Sequence, residues 1–141
     1  MSEDPFRAYN FKLDILGETQ GHFTEVSGLG AKIGVISYRE AGSQTERKIP
    51  GFSTCASVTL RYGLTNSRTF FDWFANTAKG QIERKNVSII LLDTAGTETV
   101  AQWDLSGAWV SEWRGTLLNA SDQAVAIEEL VIECEELERV T

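Results

Sequence analysis

The residues that most often carry chemistry are few in this chain and poorly placed for it. One histidine, His22, is present, so neither a His-paired metal site nor a Ser/His/Asp triad is in prospect. Lying in a strand, it reads as a packed or rim residue. The two cysteines, Cys55 and Cys134, are far apart and match neither a metal-ligand spacing nor a disulfide framework. Each reads as a buried, inert thiol. Gly28, Gly30 and Gly34 form GxGxxxG, close to a dinucleotide fingerprint. The residues after them are strand-like, whereas that site needs a helix N-terminus against the pyrophosphate. There is no GxxxxGK[ST] phosphate loop, and the adjacent carboxylates Glu135-Glu136 have no recognisable pocket. No catalytic residue, cofactor or metal site is expected. What remains is a charged group of both signs, Arg39, Glu40, Glu46, Arg47 and Lys48, in one polar segment. Mixed charge of this kind suits pairing between identical surfaces, where it sets register more than affinity.

The elements that hold such a segment centre on Val58–Gly80. Val58, Leu60, Tyr62 and Leu64 alternate with polar or small residues, the period of a strand with one buried face. The period then changes to that of a helix over about 67–79. Phe70, Phe71, Phe74, Ala75 and Ala78 make its apolar stripe, with Trp73 beside them. Asn66 or Ser67 is expected to cap it, and Gly80 to end it in a left-handed conformation. An aromatic stripe at this spacing reads as core packing, with Phe70, Phe71 and Phe74 mostly buried.

Before this segment, Tyr9–Leu16 alternates as a first strand, Gly17–Gly21 reads as a turn, and His22–Ser27 as its partner strand. Ile33–Tyr38 is β-branched and aromatic, a third strand. Arg39–Ser53 is polar, charged and broken by Gly42, Pro50 and Gly51. Fifteen residues is long for a connection inside a domain. It reads as an extended hairpin loop, about 39–53, with its tip near Gly42–Thr45. After the helix, Asn86–Leu92 is apolar enough for a strand buried on both faces. Thr99–Ser106 alternates, Gly107 marks a bulge, and Ala108–Trp113 resumes. Gly115–Gln123 is a polar connection. In Val125–Val140, Ile127, Leu130, Val131, Cys134 and Leu137 fit an amphipathic helix, although β-branched residues there also suit a strand. The glutamates from Glu128 to Glu138 read as a solvated face.

The 141 residues suit one domain, 1–141, and the net charge is −7. That charge argues against stable nucleic-acid binding, which needs a basic face. No apolar run reaches the roughly 18 residues of a membrane span. MSEDPFRAYN lacks the pattern of a signal peptide, so folding and assembly in the cytoplasm are expected.

Several phrases occur together in a familiar order: Asp4–Phe11, Phe23–Leu29, Tyr38-Arg39-Glu40, Arg47–Gly51, Val58–Trp73, Ile89–Asp93, Ala108-Trp109, Leu118-Asn119-Ala120 and Val125–Glu128. In these the chain resembles the tail tube proteins of contractile phages and the inner tube proteins of phage-tail-like contractile injection systems. The resemblance covers nearly the whole chain. It implies a mainly β fold of two packed antiparallel sheets, a barrel-like sandwich with one flanking helix. It makes Val125–Cys134 a strand and sends the 39–53 hairpin to a neighbouring ring. Arg39, Glu40, Glu46, Arg47 and Lys48 are then inter-ring contact residues.

The resemblance further implies a homohexameric ring, stacked head-to-tail into a hollow conduit for cargo. Its partners would be a surrounding sheath, a baseplate or tube-initiator protein and a cap. An acidic lumen would repel anionic cargo and let it slide. A tube initiator of the same fold is the alternative within the family. A monomeric β-barrel binding module predicts instead a pocket and no self-assembly. An enzyme of unfamiliar design predicts converging polar groups with perturbed pKa values.

Overall fold

The computed structural model describes residues 11–15, 18–22, 25–63, 68–93, 95–115 and 126–141. The Asp4-Pro5 lead-in, the cap at Asn66 or Ser67 and most of the polar connection Gly115–Gln123 lie outside them. The fold is mainly β, with two antiparallel sheets, one helix and a separate two-stranded ribbon. In the first sheet β1 (Phe11–Ile15) lies between β2 (Glu18–His22) and β7 (Lys85–Leu92). β7 pairs with the first half of β8 (Thr99–Arg114), whose other edge takes β10 (Glu136–Arg139). The second half of β8 pairs with β9 (Ile127–Glu133), then come β6 (Val58–Gly63) and β3 (Glu25–Ser27). Among the described residues β2 and β3 do not pair with each other, so the sandwich is open.

Period-2 alternation builds the core. Leu13, Val87, Ile89 and Leu105 from the first sheet meet Val58, Leu60, Val110, Leu130 and Ile132 from the second. β7 is buried on both faces as its composition predicts: Ile90 and Leu92 are also buried, away from Val87 and Ile89.

β8 belongs to both sheets because it turns a corner at Gly107. The backbone there has φ 64°, and a Cβ would come within 2.8 Å of the Glu135 side chain. Both facts favour glycine. The neighbouring chain bends at the same level, where Cys134 and Glu135 join β9 to β10. The Glu135 amide donates to the Ser106 carbonyl at 2.9 Å.

Helix α1 (Thr69–Ala78) closes the sandwich against β8. Arg68 occupies its N-cap position without a side-chain cap hydrogen bond. The end is as expected. Gly80 has φ 90°, its amide donates to Thr77 at 3.1 Å, and the Gln81 amide donates to Asn76 at 2.9 Å. This pair of bonds is a Schellman ending.

Two sequence expectations are corrected. His22–Ser27 is not one strand: Glu18–His22 pairs with β1, while Glu25–Ser27 pairs with β6, and Glu18–Gly21 is strand, not turn. Within the segment of helical pattern, Val125–Val140, the described residues fold as β9 and β10, in line with the strand that the resemblance implies there. The residues Ile127, Leu130, Val131 and Cys134 fall at helical spacing, yet Leu130 and Ile132 alternate into the core between two pairing partners. Tertiary context decides here. The extended hairpin expected over 39–53 is present: Arg47–Ser53 runs back in strand β5 (Arg47–Cys55), paired with β4 (Ala31–Tyr38).

Candidate assembly surface

The β4–β5 ribbon departs from the pattern of the body. Its register runs from Ala31 opposite Cys55 to Tyr38 opposite Arg47, with an irregularity between Ile33 and Val35. Gly51 sits at that irregularity, where a Cβ would lie 3.1 Å from the Gly34 carbonyl oxygen. Pro50, which has no N–H to give a ladder, is tolerated beside it. The ribbon's apolar residues face water. Phe52 is 90% exposed and Val35 66% exposed, and Ile33, Ile36, Tyr38 and Ile49 are also exposed. A lone two-stranded ribbon is marginal in water, and a contiguous apolar surface marks an interaction site.

The ribbon's tip carries the charges singled out by sequence. Arg39 and Glu40 follow β4, Glu46 precedes β5, and Arg47 and Lys48 begin it. The turn between them is held by the Ser43 amide donating to the Glu40 carbonyl at 3.0 Å and by Gly42 at φ 83°. The expected tip, Gly42–Thr45, is therefore in place. All five charged residues are exposed, and none of them enters an ion pair among the described residues.

On the body, charges are paired. A ladder crosses the second sheet, strand by strand. Arg61 reaches Glu25 at 3.0 Å and Glu129 at 3.1 Å; Arg114 reaches Glu129 at 2.7 Å and Glu112 at 2.8 Å. Hydrogen bonding from Arg114 holds the Glu112 carboxyl below the usual carboxylate range, and Arg114 is itself raised by Glu112 and Glu129. The acids from Glu128 to Glu135 are thus more than a solvated face. Glu128 accepts from the Tyr62 hydroxyl at 3.0 Å and the Trp113 indole at 3.3 Å. Glu133 accepts from Ser57 at 2.6 Å and Ser111 at 3.2 Å. Glu135 pairs with Arg84 at 2.7 Å. Burial first, then Glu128, pushes the Tyr62 phenol well above its ordinary range, so it remains the donor.

The expected core stripe of the helix is split. Trp73, 2% exposed, is its deepest residue, and its indole donates to the Glu83 carbonyl at 2.8 Å. Phe70 is buried, 5.1 Å from the Tyr62 ring. Phe74 is only partly buried against the core. Phe71, at 38% exposure the most exposed of the three, lies edge-on to Trp113 at 5.0 Å.

Sequence reasoning placed the charged tip but missed the apolar flanks. The polar loop expected over 39–53 contains Phe52, and the strand expected at Ile33–Tyr38 carries no expectation of which side is wet.

A profile of the "T4-like virus tail tube protein gp19" family matches residues 7–138. Among solved structures, the chain is 28% identical to a protein of the sheath–tube complex of an extracellular contractile injection system, PVC, in its extended state. That match covers 97% of this chain and 92% of the other, with a TM-score of 0.86. A protein of the PVC sheath/tube terminator in the extended state is also 28% identical, covering 100% of both chains at a TM-score of 0.88. The anti-feeding prophage cap, described as the AFP tube terminating cap, shares the fold. It matches with a TM-score of 0.89 at 24% identity over 100% of this chain and 94% of that one. No curated protein matches the sequence.

Proposed function

The chain belongs to the T4-like virus tail tube protein family, and from that membership we propose that it is the repeating structural subunit of the inner tube of a contractile injection system or phage tail. Six copies form a ring, and rings stack head-to-tail, a heterologous contact that generates an open filament. The observation that carries this reading is the β4–β5 ribbon, with its apolar flanks in water and a tip whose charges are unpaired among the described residues. A neighbouring copy supplies what the ribbon lacks: apolar surface for Phe52 and Val35, and countercharges for Arg39, Glu40, Glu46, Arg47 and Lys48. Joining sheet edges between copies also removes the open edges of each subunit.

The role is structural, with no catalytic step and no cofactor. A sheath surrounds the tube, a baseplate or initiator protein starts it, a cap ends it, and cargo moves through the lumen. The chain's net charge of −7 suits a lumen that repels anionic cargo, without stable nucleic-acid binding. Among the described residues no helix is long and apolar enough to cross a membrane. Assembly in the cytoplasm, before incorporation into a phage-tail-like particle, is part of the same reading.

Electron microscopy of the purified protein tests it. Six-fold rings and stacked tubes are expected. Single rings that never lengthen would point to an initiator or terminator role. A protein that stays monomeric in every condition, with no tube density in any particle, would overturn the reading.

A further inference from the structure

Cys55 and Cys134, far apart in sequence, meet in the fold. Cys55 ends β5 at the base of the ribbon, and Cys134 lies at the bend between β9 and β10. The Cys55 thiol donates to the Glu135 carbonyl oxygen at 3.6 Å, which sets it beside Cys134, the residue before Glu135. Both cysteines are free and half-buried. An open cleft of about 550 Å³ runs beside them, lined among others by Lys32, Ser53, Cys55, Glu135, Glu136 and Glu138. The cleft gives a small reagent a route to Cys55. Its three carboxylates against one lysine favour a neutral reagent over an anionic one.

We infer that Cys55 and Cys134 form a reversible dithiol–disulfide lock that fastens the base of the β4–β5 ribbon to the β9–β10 bend. Its oxidant is a low-molecular-weight disulfide admitted through the cleft. The exchange proceeds in two steps. The Cys55 thiolate attacks one sulfur of the reagent, the reagent's S–S bond breaks, and half of it leaves as a thiolate. The Cys134 thiol then loses its proton, and its sulfur attacks that of Cys55 and expels the second half. Two protein thiols have given up two protons and two electrons, and the small disulfide has taken them up as two thiols. Closing the bond brings the two sulfurs to about 2.05 Å.

The Cys134 thiol is pushed up to about 12, by burial above all and then by the neighbouring Cys55. It is therefore held protonated near neutral pH. A protonated thiol is a poor nucleophile, so closure quickens as pH rises.

The lock acts where the ribbon joins the body. Besides the Cys55 contact, the Ala56 amide donates to the Gly30 carbonyl at 2.9 Å across the ribbon's base. Cross-linking at this point restricts how the ribbon swings. Any consequence for tube growth rests on the reading of the ribbon as the docking element; the lock itself does not.

The test uses the full chain, unassembled, treated with 2-hydroxyethyl disulfide at mildly alkaline pH, with intact mass and free thiols measured over time. The wild type is expected to lose both thiols and two hydrogens of mass without retaining an adduct. Cys134→Ser should keep one stable mercaptoethanol adduct on Cys55. Amide exchange across 31–38 and 47–55 should slow several-fold in the oxidised wild type, and thiol reductant should restore it. Stable adducts on the wild type would overturn the inference. So would bonds between chains in place of one within, or two persistent thiols under conditions where the urea-unfolded chain reacts fully. These readouts do not need tubes, so failure to assemble leaves them intact. Normal tubes from a protein that never closes the bond would overturn the lock alone.

Discussion

The sandwich and the ribbon are made from the same kinds of residue and use them in opposite ways. In the sandwich Leu13, Leu60, Leu105 and Leu130 are wholly buried, and Arg61, Arg84 and Arg114 all reach carboxylates. In the ribbon the large apolar side chains face water, and the tip charges form no ion pair among the described residues. Burial of one large apolar side chain is worth roughly 1.5–3 kcal/mol, so leaving six exposed forgoes a large stabilisation. The sandwich satisfies itself. Among the described residues nothing satisfies the ribbon, and on the function proposed above the difference separates what folds the chain from what assembles it.

The strongest way to break this comparison is to shorten the ribbon. Deleting Ala41–Thr45 should abolish tubes by microscopy and leave the subunit's thermal melt nearly unchanged, because no core residue lies there. Phe52→Ser should act in the same direction, with a stability change of about 0.5 kcal/mol or less as a surface substitution. Normal tubes from the deletion variant would reduce the ribbon to a connection. The converse experiment strikes the sandwich. Trp73→Ala should cost about 3–5 kcal/mol in denaturant unfolding, and Phe71→Ala only about 1 kcal/mol, given its exposure. Equal losses would mean that the helix packs differently from the arrangement described.

Charge reversal makes a smaller and conditional change. Arg47→Glu with Lys48→Glu should shorten tubes at low salt and less so at high salt, since exposed charges are screened beyond a Debye length of about 10 Å at 0.1 M. Tube length that ignores salt would count against pairing at the tip. The mildest effect comes from pH and falls on the sandwich. Asp93 is held below its ordinary carboxylate value first by the Thr97 amide, donating at 2.9 Å, and Glu112 by Arg114. Both bind a proton less readily folded than unfolded. Their stabilisation is full above the ordinary carboxylate range and is lost as pH falls through the lowered folded values. Tyr62 has the opposite sign. Its raised folded value means that stability declines as pH climbs past the ordinary tyrosine value of about 10. Thermal melts across pH should therefore fall off at both ends.

Local pattern was enough for much of the fold. The change of period at Val58–Gly80 located a strand and a helix, because alternation and helical spacing cannot be confused over that length. It did not rank the aromatics. Trp73 lies deeper than Phe71 because β8 and the Glu83 carbonyl receive it, and that arrangement is not local. Ile127–Glu133 was legible as strand only through resemblance, since Ile127, Leu130, Val131, Cys134 and Leu137 happen to fall at helical intervals. The ribbon's charged tip could be read, but its exposure could not. Ile33, Val35 and Ile36 are the same residue types that fill a buried strand. The meeting of Cys55 with Cys134 comes from two distant strand ends sharing a corner, which no spacing rule contains.

That corner has a mechanical side. β8 runs sixteen residues through Gly107 without a break, laddered to β7 and β10 before the bend and to β9 after it. A push along the first sheet is delivered to the second through covalent bonds, not across a greasy seam of side chains that can slip. The subunit behaves less like two plates glued together than like one folded plate. For a part stacked into a tube, as proposed above, a crease resists shear better than a joint.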